Sequence, residues 1–161
     1  SAAIERVQKR TDALLNCGGT HRPEWFHRKL GDILYEGCGV ARDEAGLLDA
    51  LTKVRELREE FWRDVKVVGT GNRLNQELEK AGRVADFIEL GEVMILDALD
   101  RRESAGAHFR NEYATEAGEA KRNDGDWCAV SAWETRPDGT KVRHSEPLSF
   151  SLIDLQVRDY R

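Results

Sequence analysis

Long apolar runs are missing from this sequence. No stretch of its 161 residues approaches the roughly 18 apolar residues that a transmembrane helix needs, so no direct membrane insertion is expected. The opening Ser1-Ala2-Ala3-Ile4-Glu5-Arg6 has neither the basic nor the apolar region of a secretory leader, and the chain as read is expected not to be secreted. Cysteine is scarce. Cys17, Cys38 and Cys128 are widely separated, odd in number and without CxxC spacing, which argues against zinc, an iron–sulfur cluster or a disulfide framework. They read as buried or idle thiols in a reducing compartment. Proline is rare too: Pro23, Pro137 and Pro147 are all there is, and none falls between Glu24 and Arg102, so long helices can run there unbroken. A basic excess is also lacking. Thirty acidic against 25 basic residues leave a formal charge of −5, a field that disfavours nucleic acid as a partner.

What is present is a chain with 40% apolar and 34% charged residues, the composition of one soluble domain with a real core. Residues 4–16 place Ile4, Val7, Ala13 and Leu14 in one apolar sector before Cys17-Gly18-Gly19 ends a first helix. Pro23 opens a second, with Trp25, Phe26, Leu30, Ile33 and Leu34 at three- and four-residue spacing and Gly37-Cys38-Gly39 at its end. Asp43 caps a third, whose stripe is Leu47, Leu51, Val54 and Phe61; its opposite face, Lys53, Arg55, Glu56, Glu59 and Glu60, is expected to be simply solvated. A fourth, from about Leu74 to Arg101, carries Leu78, Ala81, Ala85, Ile88, Ile95 and Leu99, and Phe87 and Met94 are expected to fill the core beside them. The polar segment from Asn111 to Asp126 reads as a loop. Trp127 to Glu134 and Lys141 to Glu146 then flank a Pro-Asp-Gly turn, predicting a β-hairpin. In the tail, Leu148, Phe150 and Leu152 fall on one strand parity and Ile153, Leu155 and Val157 on the other.

Self-contained chemistry is hard to find. His108 could shuttle a proton and Arg110 could grip a carboxylate, but no nucleophile and base stand together in the sequence. His21 and His27 lack the i, i+4 spacing of a helical metal pair, and no metal site is expected. Asn16-Cys-Gly-Gly-Thr20 and Gly69-Thr-Gly-Asn72 fit neither GxGxxG nor a Walker loop and read as helix punctuation. Ser104 has no base beside it and no Gly-x-Ser-x-Gly elbow around it.

The run Arg101-Arg-Glu-Ser-Ala-Gly-Ala-His-Phe-Arg110 resembles the R-x-E-S-R-G-A-H-x-R signature near the C-terminus of succinate dehydrogenase and fumarate reductase flavoproteins. Arg28-Lys-Leu-Gly-Asp-Ile-Leu-Tyr-Glu-Gly-Cys-Gly-Val-Ala-Arg42 is similar to the family's R-x-x-L-G-x-I-M-W-x-x-x-G-V-x-R, and Leu57-Arg58-Glu59 to its L-R-E helix end. Thr115 to Trp127 and Ala129-Val-Ser-Ala-Trp-Glu134 look like the non-classical succinate dehydrogenase branch. Ala105 stands where the signature has arginine, so any ion pair made by that arginine is missing.

The resemblance implies a mainly α fold: an antiparallel three-helix, spectrin-repeat-like bundle over residues 1–102, with residues 103–161 forming a signature loop, acidic loop and β-hairpin extension of the same domain. It implies succinate–fumarate interconversion by a parent chain whose FAD lies upstream, with no catalytic, cofactor-binding or metal residue here and no activity in the isolated segment. The implied partners are that upstream FAD-binding domain, an iron–sulfur subunit and, through it, a membrane anchor subunit, at the cytoplasmic side of a bacterial inner membrane. Within this picture Glu103, Ser104, His108, Arg110 and Trp127 are the expected docking residues, with capping of helix ends inside the domain as the other role open to the first four. L-aspartate oxidase, whose signature is typically shorter, and a free-standing helical interaction module are the competing readings.

Overall fold

A computed structural model of the chain describes residues 1–156; Val157, assigned above to the second parity of the tail, lies outside them. Two compact units divide it, Ser1–Lys121 and the remainder from Arg122.

The first unit is built on four long helices: α1 Ala2–Asn16, α2 Pro23–Gly37, α3 Glu44–Asp64 and α4 Gln76–Asp100. With the single turn α5, Asp124–Trp127, the described residues contain five α-helices, and the expected three-helix, spectrin-repeat-like bundle is therefore wrong. Chain punctuation is the reason. Gly18, at φ +65°, ends α1. Gly19 then passes so near α3 that a Cβ on it would lie 1.9 Å from the Asp64 carbonyl oxygen. Pro23 starts α2 at a position whose amide needs no helical acceptor. Two separate 15-residue helices thus precede α3 and α4.

Side-chain caps start the two longer helices: the Asp43 carboxylate accepts from Gly46 N–H at 2.7 Å, and the Asn75 carbonyl oxygen from Leu78 N–H at 3.1 Å. The core lies among α2, α3 and α4, where Phe26 meets Phe61 edge to face at 5.2 Å over Leu47, Val54, Leu57, Ala81, Ala85, Ile88 and Ile95. Gly37 lets α2 approach α3, since a Cβ there would come 2.5 Å from the Ala50 Cβ. From α1 only Leu14 is fully buried, worth about 1.5–3 kcal/mol, so α1 is the most weakly held of the four. Arg10 of α1 reaches Asp86 and the Gly82 carbonyl of α4.

Two expectations about helix faces fail. Phe87 and Met94 are exposed and do not fill the core: they lie on the shoulder of α4, outside the buried row Ala81, Val84, Ile88 and Ile95. The charged face of α3 is not merely solvated. Arg55 Nε donates to Glu92 Oε1 at 2.7 Å and Arg58 Nη1 to Glu92 Oε2 at 2.5 Å, with the Glu92 side chain almost wholly buried. Burial pushes the Glu92 carboxyl up, but the two arginines outweigh it and hold it below its ordinary value.

Two-residue strands β1 (Ala41–Arg42) and β2 (Phe109–Arg110) pair in parallel, joining the α2–α3 connection to the segment after α4. Residues 111–126 are more ordered than their composition implies: a 3-10 turn covers Asn111–Tyr113, a bridge joins Ala114 to Ala120, and α5 begins at Asp124. In the second unit β3 (Ala129–Thr135) and β4 (Lys141–Pro147) form an antiparallel hairpin with Trp133 opposite Arg143. Its turn has Gly139 at φ +86°, and the Asp138 carboxylate accepts from Thr140 N–H at 2.9 Å. No described residue of this unit is buried.

Candidate functional site

The segment that follows α4 folds back on itself. Arg101 donates from Nε and Nη2 to Glu103 Oε1, at 2.9 and 2.7 Å, and Glu103 is buried. Ser104, with no exposed surface, accepts from Arg110 N–H at 2.8 Å, donates to the Arg110 carbonyl at 3.1 Å, and gives its own N–H to the Lys121 carbonyl at 2.9 Å. Ala105 and His108 exchange both backbone hydrogen bonds around Gly106, whose φ of +59° makes this tight turn possible.

His108 faces inward. Arg42 Nη1 donates to its Nδ1 at 2.9 Å, and its Nε2 donates to the Arg101 carbonyl at 3.0 Å. Because Arg42 can only donate, the ring must be the neutral tautomer with hydrogen on Nε2. Burial holds the His108 pKa below its ordinary 6.5; the Arg101 carbonyl works the other way, while Arg42, Arg101 and Arg110 reinforce the lowering. Arg110 is almost fully buried and caps α4, donating from Nη1 to the carbonyls of Ala98 at 2.8 Å and Leu99 at 3.3 Å. It also holds Glu112 at 3.2 Å and lies 5.5 Å from the Tyr113 ring centre. Glu112 passes the link on by accepting from Glu44 N–H at the start of α3. Its carboxyl is raised by burial yet lies below its ordinary value, held there by Arg110 and the Glu44 amide.

Four residues singled out from the sequence, Glu103, Ser104, His108 and Arg110, therefore meet in one clasp that ties the end of α4 to the α2–α3 connection and the start of α3. Trp127 is in the other unit, where the Arg143 guanidinium stacks 4.8 Å from its ring centre. Sequence reasoning missed Arg42, Arg101 and Glu112 as working members, though both arginines sit in the quoted motifs. Within the clasp the Ser104 hydroxyl is engaged as donor and acceptor, and both His108 nitrogens are hydrogen-bonded.

The other histidines and the cysteines singled out lie apart from the clasp. His21 meets Asp64 Oδ2 at 2.5 Å and stacks on Trp25 with ring centres 4.1 Å apart. Hydrogen bonds from His21 and from the Thr20 amide and hydroxyl lower the Asp64 pKa to about 2. His27 lies 5.7 Å from Phe87, ring centre to ring centre. Cys38 is buried, Cys17 and Cys128 half-buried, and all three are free. Among the described residues no group of three or more His, Cys, Asp or Glu could hold a metal ion, and no helix is long and apolar enough to cross a membrane. A flavin dinucleotide needs a strand, a glycine-rich turn and a helix N-terminus in succession. The glycines here join helix to helix, Gly18-Gly19 between α1 and α2 and Gly69 and Gly71 between α3 and α4, so these residues do not fit one.

The family model for the fumarate reductase flavoprotein C-terminus matches residues 27–160. The succinate dehydrogenase flavoprotein subunit of Bacillus subtilis is 26% identical over 160 residues, covering 99% of this chain and 26% of that protein. The fumarate reductase flavoprotein subunit of Escherichia coli is 32% identical over 113 residues, covering 68% of this chain and 19% of that one. Among solved structures, a mutant of E. coli quinol fumarate reductase superimposes with a TM-score of 0.80 at 25% identity, covering 95% of this chain and 25% of that one. The chain spans about a quarter of the length of these relatives.

Proposed function

The chain belongs to the fumarate reductase flavoprotein C-terminal family, shared by succinate dehydrogenases, and on that premise we propose that it is the C-terminal domain of a flavoprotein subunit interconverting succinate and fumarate. FAD would be held by the part of such a chain that precedes this domain, where it would supply hydride chemistry as succinate gives up a hydride and a proton to become fumarate. The partners such a chain implies are an iron–sulfur subunit and, through it, a membrane anchor subunit at the cytoplasmic side of a bacterial inner membrane. This domain carries no reaction of its own. Its helices brace the flavin-bearing part, and the clasp of Glu103, Ser104, His108 and Arg110 keeps the connection after α4 in one shape for docking, with Trp127 on the adjoining extension. The bundle of residues 1–102 and the extension of 103–161 act as one functional piece.

The observation that carries this reading is the family match over residues 27–160, supported by a clasp whose reactive groups are already engaged by the chain itself. Titrating the 161-residue protein with FAD and with succinate tests it. Neither is expected to bind, and no fumarate should form. Tight flavin binding, or dicarboxylate turnover by this segment alone, would overturn the division of labour. In the full enzyme His108→Ala should weaken assembly of the complex; unchanged assembly would leave the clasp an internal cap only.

A further inference from the structure

An uncovered apolar face runs along one side of the helical unit. On α4 it consists of Phe87, Leu90 and Met94, one helical stripe, with Leu90 55% exposed. On α2, His27 packs beside Phe87, and Tyr35, 85% exposed, stands eight residues further along the helix. On the other flank stands α1. Arg10 reaches Gly82 and Asp86, while Gly71, before α4, lies against Leu15, so α1 runs antiparallel to α4. With a rise of about 1.5 Å per residue in both helices, Val7 and Ile4 stand level with Phe87 and Leu90. Val7 shares the face of Arg10 and Leu14 that meets the bundle, yet it is 67% exposed, and every residue from Ser1 to Arg10 is exposed. None of Ile4, Val7, Tyr35, Phe87, Leu90 and Met94 carries a charge, and exposed large apolar side chains gathered on one side of a helical unit mark a place of contact.

We propose that this face, α1 from Ile4 to Val7 with the Phe87–Leu90–Met94 stripe of α4 and Tyr35 of α2, is where the preceding, flavin-bearing part of the same polypeptide docks. The proposal rests on the functional reading above. The matched segment is a C-terminal quarter of its relatives, so the larger part of such a chain joins at the α1 end, beside the face that lacks cover. Tethering decides between occupants. A domain joined through a short connection has an effective concentration on the order of millimolar, so it outcompetes a second copy of this chain at micromolar concentration.

Cysteine accessibility tests this. Leu90→Cys and Met94→Cys, with Leu48→Cys on α3 as reference, are made both in the 161-residue protein and in the full-length chain, and maleimide labelling is followed by peptide mass spectrometry. Leu90→Cys and Met94→Cys should label at least about tenfold more slowly in the full-length chain, with Leu48→Cys unchanged, because reaction then requires local opening of the interface. Equal rates at Leu90→Cys in both proteins, while the full-length chain holds flavin and oxidises succinate, would overturn the docking face and leave the functional reading intact; equal slowing at all three positions overturns it likewise. A gene with no flavin domain ahead of Ser1 would remove both. Protection of Leu90→Cys in the 161-residue protein that grows with its concentration would assign the face to a second copy instead.

Discussion

Arg42 and the Arg101 carbonyl between them leave His108 no room for a second proton, since protonated Nδ1 would have to give up the Arg42 hydrogen bond. The pKa of His108 in the folded protein lies below 6.5, so as pH falls the unfolded chain takes up the proton first. Its stabilising contribution is therefore complete above about pH 6.5 and is lost as pH falls through the folded value. The thermal midpoint should drop between pH 7 and pH 5, and His108→Gln should show a shallower drop; equal slopes would remove the neutral-histidine account. Glu92, Glu112 and Asp64, all lowered, lose their contributions only below their ordinary 4.5 or 3.8 and leave that window clear. At pH 7, His108→Ala should cost about 1–3 kcal/mol through the stranded Arg42 and Arg101 groups, read by denaturant unfolding. Glu103, Ser104, His108 and Arg110 were legible because one ten-residue motif holds them. Arg42 was not, because it meets His108 across 66 residues and no local period records such a contact. Glu92 did leave a trace: it is a carboxylate in the middle of the face carrying Ala81, Ala85, Ile88 and Ile95.

Glu92 joins α3 to α4, and its two arginines are unequal partners to it, since both reach solvent while the carboxylate does not. Removing the carboxylate lets the arginines turn to water; removing the arginines leaves a buried charge unpaired. Arg55→Ala with Arg58→Ala should therefore cost about 3–5 kcal/mol, and adding Glu92→Gln should recover much of it. A triple variant no more stable than the double, by chemical denaturation, would show that the arginines act through packing instead. Between α2 and α3 the controlling contact is Gly37 against Ala50. Gly37→Ala should cost about 1–3 kcal/mol by overpacking, and Ala50→Gly in the same chain should offset part of that loss. Helix positions were legible in the periodic stretches: Pro23 and Asp43 mark the starts of α2 and α3, and four apolar repeats correspond to four long helices. The count of three came from the family resemblance, and the glycine pair between α1 and α2 is the local signal that argued against it. Phe87 and Met94 were misplaced because an apolar stripe on α4 looks the same whether its shoulder meets another helix or stands uncovered. The turns within residues 111–126 escaped notice because a single helical turn is too short to show a period.

At the scale of the whole molecule, apolar burial is unevenly divided. Every member of the buried core lies between Leu14 and Ala98, and the clasp closes within Ser1–Lys121 through the Ser104 amide and the Lys121 carbonyl. The unit from Arg122 contains a two-stranded hairpin, and none of its described residues is buried. A lone hairpin is at best marginally stable in water, because two strands cannot enclose a core. Short-range devices contribute to its order, among them the Asp138 and Gly139 turn and the Arg143–Trp127 stack. Ending the chain after Lys121 should accordingly leave the helical unit folded, with a thermal midpoint within about 4 °C of the 161-residue protein, the shift that roughly 1 kcal/mol produces in a domain of this size. Hydrogen exchange should divide the intact protein in the same way: amides of α3 and α4 should open only with global unfolding, and those of β3 and β4 far sooner. A larger fall in the midpoint on truncation, or slow exchange in the hairpin, would mean that the extension shares the core's cooperativity, and the helical unit could no longer be treated as the part that carries the fold.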